Sequence, residues 1–447
     1  MITLSIGESA RVLGAKVEHS NVRYVGVSTD SRKVVPGSLF VAIEGEHFDG
    51  HDFVDAAAAQ GAVAAIVSKA RRFSLPTIQV EDTIAALGKL AGHWRGRFKA
   101  PLTAITGSNG KTTVKEMLAS ILRRSHKVLA TKGNFNNEIG APLTLAELDG
   151  SHEQIIVELG ANHPGEIARL TRISVPSVGL ITVCAPAHLE GFGSVEGVAR
   201  AKGELFSEMP ADACAVINAD DAFAPLWAML AGKRRKVRFG LEKGTDVFGH
   251  WQPASGGGAL RVESPVGSFE VRIAFPGKHN GANALGAAAA AIAAGASADD
   301  IRLGLESAKP VSGRLELKRG LGGAAIIDDT YNANPNSLKA GLEVLSGEDA
   351  QRWLVLGDMA ELGSDAPRYH EEAGQMAREL GVDRLYTVGT LSRLAAESFG
   401  EDAVHFDSQD GLIDALRSEL NGDATVLVKG SRSMGMERVV AALTGEE

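Results

Sequence analysis

Cysteine is scarce in this chain. Of 447 residues only Cys184 and Cys214 are cysteines, so no disulfide framework is available and a reducing cytoplasm is the expected compartment. Both read as small buried hydrophobes. Long apolar runs are missing too. The longest, Gly286 to Ala294, is mostly alanine and far below the roughly 20 residues that span a bilayer. Met1 to Lys16 lacks the basic start and apolar core of a secretory leader, so no membrane insertion is expected. Nor is there an excess of basic residues. A formal charge of −9 argues against a general nucleic-acid binder, which carries a basic surface, yet leaves room for small anions held by a few local cations and amides. No solenoid repeat and no low-complexity tail is visible.

What is present suits a globular protein: 44% hydrophobic and 23% charged residues, with length for about three domains at roughly 150 residues each. The first hundred residues read as a small α/β unit. The β-type runs Ser38 to Ile43 and Ala64 to Val67 flank an alanine-rich helical stretch from Asp52 to Gln60. The polar, basic segment His93 to Lys99, ending at Pro101, reads as a linker. From Leu102 a new rhythm starts. A buried strand over Leu102 to Thr106, a glycine loop, helical spacing over Thr113 to Leu122, and strands at Gln154 to Glu158 and Val178 to Val183 indicate a parallel sheet with crossover helices. Residues 245 to 275 read as β-ribbon with glycine turns at Gly256 to Gly258 and at Gly267, and a long helix begins near Asn280. The pattern breaks at Lys309 to Gly313. A third set follows, with strands at Ala325 to Asp328, Trp353 to Leu356, Arg384 to Val388 and Thr425 to Val428, and reads as a second open parallel sheet. The expectation is an α/β protein of three domains, over residues 1–99, 100–311 and 312–447.

The stretch Gly107-Ser108-Asn109-Gly110-Lys111-Thr112-Thr113 lies between a buried strand and an amphipathic helix. A glycine turn there presents several backbone N–H groups to one point, and the helix dipole adds positive potential, so phosphate oxygens sit favourably. Lys111 would reach the β- and γ-phosphates of ATP, and Thr112 would place its hydroxyl on Mg²⁺. The common phosphate loop has a glycine five residues before the Gly of Gly-Lys; here that position is Ile105, so ordinary motor and switch proteins fit imperfectly. Downstream, Glu158 ends a strand, and the carboxyl ends of parallel strands form the ligand crevice in such sheets, which makes it the magnesium candidate. His188 follows another strand, in Ala185-Pro186-Ala187-His188-Leu189-Glu190-Gly191. The residues alone leave open a phosphate-loop ATPase that couples hydrolysis to motion, or a silent nucleotide-binding module.

Together these pieces resemble the Mur ligase family of peptidoglycan synthesis, over nearly the whole chain. The matching stretches include Thr29-Asp30-Ser31-Arg32, Phe48-Asp49-Gly50-His51, the phosphate loop and Asn134-Phe135-Asn136-Asn137. Further along come Glu158-Leu159-Gly160-Ala161-Asn162, His279-Asn280 with Asn283, Gly313-Arg314, Asp328-Asp329-Thr330-Tyr331-Asn332-Ala333-Asn334-Pro335 and Lys429-Gly430-Ser431-Arg432. The resemblance implies an N-terminal nucleotide-sugar-binding domain, a central ATPase domain and a C-terminal Rossmann-like domain. It implies ATP and Mg²⁺ as cofactors, and a monomer.

The Asn-Phe-Asn-Asn and Tyr-Asn-Ala-Asn-Pro stretches favour the family member that joins D-alanyl-D-alanine to UDP-N-acetylmuramoyl-tripeptide. A sister ligase or a folylpolyglutamate synthase is the alternative. Residue by residue, the resemblance makes Thr112 and Glu158 ligands of one magnesium and His188 a ligand of a second. Lys202 matches a position that carries a carbamylated lysine in several members, and so becomes a metal-binding candidate. Asn280 and Asn283 match adenine-side contacts, Arg314 a hinge residue reaching the phosphates, and Asp329 a ribose contact. Ser31 matches a uridine-diphosphate-sugar contact, and Asn136 and Asn137 would meet sugar or peptide. Lys429 and Arg432 are candidates for anionic substrate groups.

Overall fold

The computed structural model describes every residue except 18, 46, 187, 255, 446 and 447; Ala187 of the stretch leading to His188 therefore lies outside the described residues. Its centre is a nine-stranded sheet. The strands run in the order Gly267–Ile273, Gly257–Ser264, Val247–Ala254, Arg235–Gly240, Cys214–Asn218, Val178–Ile181, Leu102–Thr106, Gln154–Glu158 and Val128–Ala130. From Val128–Ala130 through to Val247–Ala254 neighbouring strands are parallel. Every residue of Leu102–Thr106, Gln154–Glu158 and Cys214–Asn218 is buried. Helices cover both faces, so these strands are near-continuously apolar and do not alternate. The segment expected as a ribbon is antiparallel, but it extends this sheet and does not stand apart, through the pairs Phe239↔Val247 and Gly240↔Phe248.

Chain order decides where ligands can sit. After Leu102–Thr106 the chain goes to the edge strand Val128–Ala130 and returns to Gln154–Glu158 on one side of its starting strand. It then crosses to Val178–Ile181 on the other side. The crevice opened by such a reversal lies at the carboxyl ends of the strands, and residues 107–110 occupy it.

The N-terminal part pairs Thr3–Ser5 with Arg23–Val25 antiparallel and holds a four-stranded parallel sheet of Val27–Ser28, Leu39–Val41, Ala64–Val67 and Thr77–Gln79. The expected linker at His93 to Lys99 is instead fixed structure. The helix Thr83–Arg95 runs through its start, and Trp94 is buried and donates to Leu148 O at 3.0 Å. Arg95, 7% exposed, donates to the carbonyls of Ser174 (3.1 Å), Phe98 (2.7 Å) and Ala100 (2.9 Å). A guanidinium carries five donors in a fixed fork, so this charged residue organises a turn where its polarity alone suggests solvent. One apolar core, from Ile2 and Leu4 through Leu90 and Trp94 to Leu145 and Leu148, joins the N-terminal part to the central sheet.

The last part is a six-stranded sheet in the order Glu316–Arg319, Ala325–Asp329, Ala424–Lys429, Gln351–Gly357, Arg384–Val388 and Ala403–Phe406. It is parallel except at the edge strand Glu316–Arg319. All four expected strands are present. The sheet has apolar clusters of its own, built from residues 315–443.

Candidate active site

The phosphate loop is shaped by two glycines. Gly107 has φ 146° and Gly110 φ 80°, and both lack room for a side chain. A Cβ at Gly107 would lie 2.0 Å from Thr182 Oγ1, and one at Gly110 would lie 2.4 Å from Asn283 Oδ1. The helix Lys111–Leu122 follows, with Gly110 at its N-cap and no side chain closing the cap. Its first N–H groups therefore point unpaired into the crevice, as an anion site requires. Lys111 Nζ folds back to donate to Gly107 O (2.8 Å) and Ser108 O (3.1 Å). Desolvation, with the nearby Arg314 cation adding to it, lowers its pKa.

Thr112 and Glu158, 46 positions apart, meet under the loop. Thr112 Oγ1 donates to Glu158 Oε2 at 2.9 Å. Asn136 Nδ2 donates to Glu158 Oε1 at 2.7 Å, and Arg314 Nη2 donates to Thr112 Oγ1 at 3.0 Å. Glu158 is 2% exposed. The Arg314 guanidinium also stacks 4.0 Å over the Tyr331 ring, a geometry that holds a planar cation in place. Thr113 is buried behind the loop.

Lys202, on the helix Val195–Glu208, is 2% exposed. It donates to Ala161 O at 3.3 Å, and its amine lies 5.4 Å from the Phe192 ring centroid. Burial, reinforced by Lys111, lowers its pKa to about 7. His188 is in the left-handed region, φ 52°, an uncommon conformation for a residue with a Cβ. Its Nδ1 lies 2.6 Å from Glu361 Oε2, an ion pair whenever the imidazole is protonated. The imidazole holds the Glu361 carboxyl below its usual pKa.

On the far side, Asn280 donates to Pro276 O (2.7 Å) and accepts from Asn283 Nδ2 (3.0 Å). It belongs to the helix Lys278–Ala293, whose N-cap is Gly277. His279 stays neutral, because burial and Lys429 bring its pKa down to about 4. Asp329 is 8% exposed and its pKa is raised by burial, against which Lys429 acts. Lys429 Nζ lies 2.5 Å from Asp329 Oδ2 and donates to Asn332 O at 3.0 Å. Lys429, 1% exposed, is thus an internal partner of Asp329 that also lines the cavity described next. Arg432 is paired with Glu437 at 3.1 Å.

These groups surround one open cavity of about 620 Å³. Of the expected residues, Ser108, Asn109, Gly110, Lys111, Thr113, Asn136, Asn137, Glu158, His188, Lys202, Asn280, Asn283, Arg314, Asp329 and Lys429 line it, and Arg432 does not. Gly107 and Thr112 stand directly behind that lining. Ser31, in a short 3-10 turn capped by Asp30, is not part of it. Asn137 accepts from Ile139 N and Gly140 N and so shapes its own turn.

Sequence reasoning missed Thr182, whose Oγ1 donates to Asn109 O at 2.6 Å, and Glu361. The amides opposite Asn109 are a further surprise. Asn334 Nδ2 donates to Asn109 Oδ1 at 2.8 Å, and Asn109 Nδ2 donates to Asn334 Oδ1 (3.3 Å) and Asn336 Oδ1 (3.1 Å). Glu361 was findable, because it follows a strand of the second sheet as Glu158 ends one of the first.

The cavity suits a polyphosphate. Uncapped helix N–H groups, a glycine cradle and the cations Lys111 and Arg314 converge on one point. Among the described residues no three His, Cys, Asp or Glu side chains converge on one point. The Thr112 hydroxyl and Glu158 carboxylate nevertheless fit magnesium, which keeps waters and takes phosphate oxygens as ligands.

A phosphate loop at a sheet reversal, faced by a second α/β domain that reaches back onto it, defines a phosphate-loop α/β enzyme. Three family models match in order: Mur ligase family, catalytic domain, over residues 23–95; Mur ligase middle domain over 105–291; and Mur ligase, glutamate ligase domain over 313–432. The chain belongs to the Mur ligase family. It is 41% identical to the UDP-N-acetylmuramoyl-tripeptide–D-alanyl-D-alanine ligase of Escherichia coli K12, over 99% of each chain. Among solved structures it superposes on MurF from Acinetobacter baumannii with TM-score 0.94, at 34% identity over 100% of both chains. It superposes on the MurF ligase from Thermotoga maritima in complex with ADP with TM-score 0.83, at 30% identity over 94% and 96%.

Proposed function

We propose that this chain joins D-alanyl-D-alanine to UDP-N-acetylmuramoyl-tripeptide with ATP, giving the pentapeptide nucleotide, ADP and phosphate for peptidoglycan synthesis. One observation carries the mechanistic reading. The phosphate-loop Thr112 is bonded at once to Glu158 of its own domain and to Arg314 of the other, so ATP would be held by both domains. A sister ligase acting on another acceptor is disfavoured by full-length similarity to a ligase named for this dipeptide.

A free carboxylate is a poor electrophile, and amide formation from it is uphill in water. In the proposed reaction the tripeptide carboxylate takes the γ-phosphoryl group, ADP leaves, and an acyl phosphate forms. The dipeptide amine then attacks the acyl carbon. The C–N bond forms, the C–O bond to phosphate breaks with its electron pair on phosphate, and the surplus proton of the amine passes to the departing phosphate. Negative charge accumulates in both steps, so donors fixed in advance do most of the catalysis. Lys111 and the loop amides stabilise the γ-phosphoryl group. Arg314, clamped between Tyr331 and Thr112, adds charge from the other domain. Asn136 orients Glu158, and Asn280, Asn283 and Asp329 line the nucleoside side. Bound magnesium, held by Thr112 and Glu158 with a second ion at His188, would neutralise phosphate charge. Lys202 has the low pKa that carbamylation needs, since only a neutral amine adds to CO₂; the product is an anion able to bind magnesium. Closing the domains excludes water from the acyl phosphate.

Ser31, Asn136 and Asn137 are the candidates for the UDP-sugar and its peptide. We place the domain boundaries at 99/100 and 311/312, the chain in the cytoplasm and its working form as a monomer. Among the described residues no helix is long and apolar enough to cross a membrane. The test is phosphate release. It should require both the tripeptide nucleotide and D-alanyl-D-alanine, whereas rapid ATP hydrolysis with neither present would overturn the ligase reading.

A further inference from the structure

The cavity is rich in cations, yet the group it must admit last is itself a cation. An α-amine has a pKa of about 7.7–8.0, so the acceptor dipeptide arrives largely as an ammonium. Lys111 and Arg314 both repel it. A local carboxylate is needed, and most of those in the cavity are committed. Glu158 accepts from Thr112 and Asn136, Asp329 is paired with Lys429, and Glu166 accepts from Asn162 N and pairs with His163. Glu343 sits beside Val344, which packs against Gly277 at the nucleoside side.

Glu361 is different. It follows the strand Gln351–Gly357 at the rim of the cleft, and the loop before it is pinned residue by residue. The Asp358 carboxylate accepts from the N–H groups of Thr390, Leu391 and Ser392 at 2.9, 3.1 and 2.7 Å. Met359 N donates to His370 Nε2 at 2.9 Å, and Ala360 N donates to Ser431 Oγ at 2.7 Å. Glu361 itself is held at φ 63°, opposite His188 at φ 52°. Two neighbouring residues with side chains in a disfavoured region, across a domain cleft, mark a place where position matters more than backbone comfort. The Glu361 side chain is 51% exposed, and His188 is its only ion-pair neighbour among the described residues.

We infer that Glu361 is the docking carboxylate for the ammonium of the incoming dipeptide, holding it beside His188 until it loses one proton to solvent and the neutral amine attacks the acyl phosphate. This rests on the ligase reading above and adds a subsite that discriminates charged from neutral nucleophiles. Loss of a charge-assisted hydrogen bond corresponds to roughly 10- to 100-fold in binding.

The experiment is steady-state kinetics of Glu361→Gln, which keeps shape and removes charge. KM for D-alanyl-D-alanine should rise roughly 10- to 100-fold, with KM for ATP changed less than twofold. Hydroxylamine, a small nucleophile that is neutral at pH 7.5, should still trap the acyl phosphate as hydroxamate at close to the wild-type rate. Glu361→Asp keeps the charge in a residue that tolerates positive φ and should recover part of the loss. An unchanged KM for the dipeptide, or a fall in hydroxamate matching the fall in ligation, would overturn the assignment, because Glu361 would then serve His188 or the first step. Wild-type enzyme that ligates the dipeptide but yields no hydroxamate would instead overturn the acyl-phosphate reading, and this subsite with it.

Discussion

Replacing Lys202 by methionine removes a buried amine while nearly keeping its volume, and the effect on stability should change with pH. Burial and Lys111 bring the Lys202 pKa from 10.5 down to about 7. Between those values the unfolded chain carries a proton that the folded chain has released, so wild-type stability rises with pH across the window. One proton corresponds to about 1.4 kcal/mol per pH unit. Allowing for half-titration at pH 7, wild type should gain roughly 2 kcal/mol on Lys202→Met between pH 7 and pH 9. For a domain of about 200 residues that is roughly 4–8 °C in Tm. Both proteins would be melted at pH 6, 7, 8 and 9 in CO₂-free buffer, where the difference between them cancels every other titration. The methionine variant should be the more stable throughout, by a margin flat below pH 7 and shrinking above it. A margin constant from pH 7 to 9 would refute the claim that this amine is held near neutrality. Bicarbonate at pH 8.5 should raise the Tm of wild type and leave Lys202→Met unmoved, because a carbamate forms only where the folded site stabilises it.

Three other perturbations have defined outcomes. Glu158→Gln leaves Thr112 and Asn136 without their shared anion and should lower kcat by at least roughly 100-fold, with the Tm within a few degrees of wild type. Lys429→Met strands the Asp329 carboxylate without its cation and should cost roughly 3–5 kcal/mol; the double variant with Asp329→Leu should recover much of that loss in urea melts. Gly107→Ala puts a Cβ 2.0 Å from Thr182 Oγ1 and should weaken ATP binding more than 10-fold by calorimetry, while far-ultraviolet dichroism stays that of the wild type.

Features carried by local sequence were readable in advance. The strand Leu102–Thr106, the glycine turn after it and the strands of the second sheet follow from burial, φ preference and crossover length, which a short window contains. Residues defined by a distant partner were not. Nothing in His93 to Lys99 reveals that the Arg95 fork closes on three carbonyls, one of them 79 positions away. Lys429 looked like a free cation because its partner Asp329 precedes it by 100 positions. Glu361 has one local signal, its place just past the strand Gln351–Gly357; its φ and its partner His188 are visible only in three dimensions.

The central part of this molecule is joined to its two neighbours in different ways. Apolar side chains weld the N-terminal part to the central sheet. Across the cleft to the last domain Val344 touches Gly277, but most of the contacts described are polar: Arg314 to Thr112, Asn109 to Asn334 and Asn336, and His188 to Glu361. Parting such contacts hydrates polar groups and uncovers little hydrocarbon, and it is hydrocarbon that gives unfolding its large positive heat capacity. Opening of the cleft should therefore have a heat-capacity change near zero, so its equilibrium would follow a straight van 't Hoff line over temperatures at which the stability of the fold itself bends.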